Sequence, residues 1–343
     1  MNEFIQAGND RRQVLCERAG ERMRLPPASV EKDFWVCWTL WRLFALPKLN
    51  QALTFKGGTA LSKAWGLIER FSEDIDIVID RHALGYTEAG APESGKQSRR
   101  RIEALKCEAQ RVVRDEILPS LRENIQTALP PNNEWKIELD PDAPDLQSLL
   151  FTYPCVFTGR TTYIRPVVKI EMGARSDTEP AETVTIRPYI FSVLKAEGGE
   201  GFPVRAVAAR RTFWEKAMLL HEETFRPAGK PRKDRLARHY YDLWCLITKG
   251  IADQAVADDG LFDRILAHRV VFFRWSWVDY STMRRGSLRL VPPENQLKDW
   301  AADYKMMGTE MFFGEVPSFD EILHVVGEFE RRFNDTTARV RST

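Results

Sequence analysis

The chain has little cysteine, few histidines and no surplus of either charge, and each shortage argues against a class of function. Its five cysteines, Cys16, Cys37, Cys107, Cys155 and Cys245, are scattered, odd in number and form no C-x-x-C pair. That argues against a disulfide framework and a zinc site, and for reduced thiols in the cytoplasm. Lys plus Arg number 50 against 49 Asp plus Glu, a net charge of +1, so global charge carries no nucleic-acid signal. Long hydrophobic runs are missing. The most apolar stretch, Phe34 to Leu46, is too short to cross a bilayer and contains Arg42, so no membrane role is expected. Met1 to Gly20 lacks the apolar centre of a signal peptide. No internal repeat or low-complexity tract stands out, and the G-x-x-x-x-G-K-[ST] phosphate loop is absent.

What is present begins with size. At 343 residues and 43 % hydrophobic, the chain can bury a large core and is expected to hold two subdomains. Helices are predicted near 9–21, 29–46, 59–67, 98–128, 211–225, 232–248, 261–270 and 318–334. Strands are predicted near 52–56, 74–80, 134–139, 149–157, 163–172 and 183–187. Val30, Phe34, Trp38, Trp41 and Ala45 recur at helical spacing, the mark of a core helix. Gly85 to Gly95 and Ala196 to Gly201 read as loops.

The chemistry concentrates in residues 55 to 80. Gly57 and Gly58 sit between a short apolar strand and a helix, where the backbone must bend and a ligand can approach without meeting a Cβ. The first N–H groups of such a helix have no internal partners and suit phosphate. Thr59 either caps that helix or bonds a phosphate oxygen. Ile75, Ile77 and Ile79 then alternate with Asp74, Asp76, Val78 and Asp80, so a strand places isoleucines on one face and aspartates on the other. Two adjacent carboxylates stay ionised comfortably only around a cation. Magnesium takes such ligands together with water and phosphate oxygens. Ser72 stands at the strand entrance, within reach of a phosphate.

Val167 to Met172 reads as another strand, with Lys169 and Glu171 on one face. Glu171 completes the metal site or simply pairs with Lys169 across the strand. Downstream, Phe213, Ala217 and Leu220 mark the buried stripe of one helix. In the next, Leu236, Tyr240, Leu243, Trp244 and Ile247 form an apolar stripe opposite Arg235, Arg238, His239 and Asp242. That polar face is either functional or an exposed ion-pair ladder of little energetic weight. Arg226 to His239 is locally basic, with six Lys or Arg against Asp234 alone, a pattern that suits RNA phosphates or a solvated loop.

Val30-Glu31-Lys32-Asp33-Phe34-Trp35-Val36, Phe55-Lys56-Gly57-Gly58-Thr59-Ala60-Leu61-Ser62-Lys63, Arg70-Phe71-Ser72-Glu73-Asp74-Ile75-Asp76-Ile77, Glu215-Lys216 and Arg238-His239-Tyr240-Tyr241-Asp242 together resemble the AbiEii/AbiGii nucleotidyltransferases. These are toxins of bacterial type IV toxin–antitoxin and abortive-infection (phage-defence) systems. The resemblance spans roughly residues 30 to 250. It implies an α+β fold: a polymerase-β-like mixed sheet flanked by helices, with a C-terminal helical subdomain closing the active-site cleft. The expected division is 1–200 and 201–343.

By resemblance, Asp74 and Asp76 hold magnesium, while Gly57, Gly58, Thr59, Ser72 and Lys63 belong to the triphosphate site. Lys216 contacts phosphate, and Asp242, with Arg238 nearby, closes the nucleotide site. Glu171 is the candidate third carboxylate, placed by strand phase. The implied activity is transfer of a nucleoside monophosphate from an NTP to RNA, first the tRNA 3′ end, on which related MenT toxins act. Transfer to a protein or small molecule is the alternative, and NTP sensing without transfer is another. A cognate antitoxin is the implied partner.

Overall fold

In the computed structural model, residues 1–343 are described except 48, 88–94, 132, 158–164, 195–198, 309–310, 313–315 and 337–343. Most of the expected 85–95 loop, the start of the 196–201 turn and the first residues of the 163–172 strand lie outside the described residues.

The chain forms two compact units. The first comprises Met1–Ala64 and Ser72–Val207, the second Trp65–Phe71 and Ala208–Thr343. The main division thus falls at 207/208, and seven residues upstream of the Asp-x-Asp strand join the second unit.

The first unit is built on a seven-stranded mixed sheet. Its strands are β1 (Leu53–Lys56), β2 (Ile75–Ile79), β3 (Lys136–Leu139), β4 (Ser148–Thr152), β5 (Val167–Gly173), β6 (Ala181–Ile186) and β7 (Phe202–Val207), in the order β3-β4-β5-β2-β1-β7-β6. β2 runs antiparallel to β1 and parallel to β5. Period-two alternation gives the sheet two unlike faces. Phe55, Ile75, Ile77, Phe151, Val168 and Ile170 are buried on one of them. Helix α3, Pro27–Phe44, covers it, entering with Pro27 at its first position, where a missing N–H costs nothing. Trp35 stacks on Tyr153 and Trp38 on Phe151. Because α3 is buried nearly all round, Glu31, Lys32 and Asp33 are buried with it. The opposite face carries Lys56, Asp76, Lys169 and Glu171, set by the pairings Lys56↔Asp76 and Asp76↔Glu171.

Three expectations change in this unit. The helix opening at the glycines is Gly57–Lys63, shorter than predicted. The strand predicted to reach 157 ends at Thr152. β7 was not foreseen, because Pro203 removes a ladder donor. Pro203 pairs opposite Thr185 of β6, away from Ala206, where β7 meets β1. The long helix after the Asp strand is present as Gly95–Val112 and Leu118–Ala128, joined by a π-type turn at Val113–Ile117. The wider turn sits just before Pro119, which cannot donate to the carbonyl four residues back.

The second unit has no strand among its described residues. Its helices are Ala209–Thr224, Arg238–Thr248, Ile251–Ala257, Leu261–Phe272, Glu294–Gly308 and Phe319–Asn334. The last opens with a capping box from Ser318 and Glu321, satisfying two helix-end donors. Phe213, Trp214, Ala217, Leu220, Tyr240 and Leu243 form its core. The helix expected from 232 begins at Arg238, because Arg235 adopts φ 61° in the turn before it.

Candidate active site

In the first unit, the phosphate-type turn and the Asp strand are neighbours by hydrogen-bonded register. Lys56 pairs with Asp76, and Gly57 follows with φ +80°. A Cβ on Gly57 would fall 1.9 Å from Asp76 Oδ2. The glycine is required twice, for its left-handed backbone and for the carboxylate packed against it. The N-cap residue, Lys56, makes no side-chain cap bond to the helix that starts here.

Thr59 does not cap the helix. Its buried hydroxyl donates to the Asp74 carbonyl and lies 2.9 Å from Ser72 Oγ. Thr59 therefore fastens the turn helix to the strand entrance, which corrects its expected phosphate contact. Lys63 is corrected more strongly. Its amine forms a buried ion pair with Asp33 and lies 3.3 Å from the centre of the Tyr189 ring. Burial opposes the charged amine, but Asp33 more than compensates and raises its pKa. Lys63 is a core cation and is not turned to the glycines.

The carboxylates behave differently. Asp74 is solvent-exposed and Asp76 half-buried. Loss of solvation, then the charges of Glu73 and Glu171, push the Asp74 pKa up to about 6, with Lys32 and Lys169 opposing. Lys32, on α3, pairs with Glu73 and donates to the Arg165 carbonyl at 3.1 Å. Glu171 stands beside Asp76 on the next strand, as strand phase anticipated, and is held 2.9 Å from Lys169. Lys169 also lies 3.3 Å from Asp140. The salt bridge expected as the alternative is present, and Glu171 is also paired in register with Asp76.

Among the described residues, no three His, Cys, Asp or Glu side chains are close enough to cage an ion by themselves. The donor set nevertheless fits a magnesium-type cation, which needs a carboxylate or two completed by water and phosphate oxygens. The Asp74 pKa is raised first by loss of solvation and then by the charges of Glu73 and Glu171, and a cation would offset both.

The second unit gathers a buried charge cluster. Arg70 makes a two-pronged contact with Asp242, 2.7 and 2.8 Å, and Lys216 reaches Asp242 Oδ2 at 2.8 Å. Lys216 also lies 3.3 Å from His239 Nδ1. Burial alone would raise the Asp242 pKa, but Arg70 and then Lys216 outweigh it and hold it well below the carboxylate range. Desolvation lowers the pKa of Lys216, with Asp242 opposing and Arg70 assisting. Desolvation, Lys216 and Arg238 lower His239, so its ring is neutral. Asp242 reaches no solvent, and its carboxylate is taken up by Arg70 and Lys216. Arg238 is half-buried and donates to the Arg235 carbonyl at 3.2 Å.

Arg70 was the residue sequence reasoning left without a role, although it stands four positions before Asp74. Its segment is tied into the second unit by Tyr241, whose hydroxyl accepts from Glu69 N, and by Lys249, which donates to the Leu67 carbonyl.

A family model described as "Nucleotidyl transferase AbiEii toxin, Type IV TA system" matches residues 38–325. The chain belongs to this family. The AbiEii chain is accordingly a nucleotidyltransferase toxin, of a family that generally works with a divalent metal. Among solved structures it resembles MenT4, the nucleotidyltransferase toxin Rv2826c from Mycobacterium tuberculosis H37Rv. The TM-score is 0.52 at 16 % identity, over 95 % of this chain and 92 % of that one. At that identity the likeness speaks for the fold. No curated protein matches the sequence. No helix among the described residues is long and apolar enough to cross a membrane.

Proposed function

We propose that this AbiEii toxin transfers a nucleoside monophosphate from an NTP to a hydroxyl of RNA, foremost the tRNA 3′ end. The acceptor oxygen forms a bond to the α-phosphorus, the bond to the leaving pyrophosphate breaks, and the hydroxyl proton passes to Glu171 or water. The observation that carries this reading is the packing of the Asp76 carboxylate against Gly57. It brings a glycine turn within packing distance of the Asp76 carboxylate.

Asp74 and Asp76 would hold magnesium, whose chemistry is to neutralise the triphosphate and acidify the attacking hydroxyl. The Gly57-Gly58 turn would receive phosphate oxygens with its open N–H groups, assisted by Ser72. Thr59 keeps the turn and strand in register. For the second unit, a phosphate contact by Lys216, whose amine Asp242 engages, is carried over from the family resemblance alone. Positioning and charge stabilisation supply most of the rate in such transfers. The reading includes a cytoplasmic setting and a cognate antitoxin, as a type IV system implies.

The test is incubation of pure protein with each α-labelled NTP, magnesium and total tRNA, beside Asp76→Asn. Label entering tRNA with wild type alone supports the proposal and names the donor. Label entering protein and surviving nuclease redirects it to a protein acceptor. NTP binding without label transfer or pyrophosphate release contradicts it.

A further inference from the structure

We infer that Trp275 and Trp277, with Lys230 and Arg274, form a stacking platform for an unpaired RNA strand on the second unit. The two indoles stack with centroids 4.4 Å apart and planes at 28°. Trp275 is 45 % exposed. A large ring at the surface leaves apolar area in water unless something covers it. The loop that carries the rings is pre-set. The Tyr280 hydroxyl accepts from Trp275 N at 3.0 Å and donates to Glu222 at 2.8 Å, and Arg269 grips the same Glu222.

The surrounding charge selects the occupant. Lys230 Nζ sits 4.0 Å from the centre of the Trp277 ring, and the Arg226 guanidinium lies 5.9 Å from it. Arg226 is already engaged by both oxygens of Glu223. Lys230 and the exposed Arg274 have no acidic partner among the described residues. The one acid in the loop, Asp279, spends an oxygen on the Ser281 N–H and hydroxyl. Flat aromatic faces beside unengaged cations are what an unpaired strand needs: bases stack and phosphates meet the cations. A duplex hides its base faces and would gain only the charge contribution. The basic stretch from Arg226 onward thereby acquires a partner in three dimensions, since Lys230 belongs to it and the tryptophans do not.

This platform deepens the RNA-acceptor reading, and its test separates the two. Fluorescein-labelled unstructured 12-nucleotide RNA and a blunt RNA duplex are titrated into the full chain, following anisotropy and indole emission. Wild type is expected to prefer the single strand and to lose indole emission on binding. Trp275→Ala with Trp277→Ala should weaken single-strand binding roughly tenfold or more, on the scale of losing base stacking. Trp275→Phe with Trp277→Phe should restore most of it. Lys230→Gln should lower the salt dependence by about one cation's share. Unchanged affinity in the alanine pair, or binding without indole quenching, overturns the platform. If wild type labels tRNA but the alanine pair does so at unchanged KM, the platform alone fails. If wild type neither binds nor labels RNA, both readings fail.

Discussion

The two charged regions of this protein solve opposite problems. At the sheet, Asp74 keeps exposed surface, yet its carboxyl is partly desolvated and faces the charges of Glu73 and Glu171, so it carries a raised pKa. In the helical unit, Asp242 is sealed from solvent, satisfied by Arg70 and Lys216, and carries a depressed one. The first arrangement is poor as an isolated structure and, on the proposed reading, becomes favourable when a cation and a triphosphate arrive. The second is complete without a ligand. On the proposed reading, the surface carboxylates take part in the chemistry, while the buried, fully paired carboxylate holds its neighbours in place.

The sharpest way to break that contrast is to neutralise one carboxylate in each region. Asp76→Asn should reduce turnover at least about a hundredfold, the scale of losing one preorganised electrostatic group. Near-normal turnover would remove Asp76 from the metal site. Asp242→Asn should instead leave two buried cations without a counter-charge and cost about 3–5 kcal/mol in urea denaturation. A variant as stable as wild type would mean that the cluster is not sealed.

Gly57→Ala should come next in effect. The added methyl meets Asp76 Oδ2 and the φ of +80° disfavours it, so turnover should fall on the order of tenfold or more through a displaced carboxylate. Full activity would contradict the close approach. Lys63 sharpens the comparison from within the first unit. Lys63→Met should destabilise by stranding buried Asp33, and adding Asp33→Asn should recover much of the loss. NTP affinity of the folded fraction should be unchanged in both variants. A large rise in KM for NTP would return Lys63 to the phosphate site.

The smallest effect is in pH dependence, measured in chelator. With Asp74 raised to about 6, the folded state holds a proton that an unfolded aspartate, near 3.9, has lost. Stability contributed at this site should therefore fall as pH rises from about 4 to 6, and Asp74→Asn should flatten that segment of the curve. Asp242 has the opposite sign. Its contribution is full above the unfolded value and is lost as pH falls below about 4 toward its depressed folded value. Denaturation midpoints across this range that shift identically for wild type and Asp74→Asn would refute the crowding.

Local periodicity and turn chemistry made the Asp strand, the glycine turn and the main core helices legible. Alternation alone put Ile75, Ile77 and Ile79 in the core and Lys169 and Glu171 on one face of their strand. These depend on neighbours a few residues apart, so the sequence by itself determined them. It did not reveal β7, whose pattern is broken by Pro203, nor that Lys63 and Thr59 turn inward. It left Arg70 unassigned and read Asp242 as part of a polar helix face. Those outcomes depend on partners far away in the chain: Asp33 for Lys63, Asp242 for Arg70, and Lys230 for Trp277. A polar residue's position in a periodic pattern says which side of an element it occupies. Whether that side meets water, a counter-charge or a ring is settled only when distant segments pack, and the tertiary structure alone decided it.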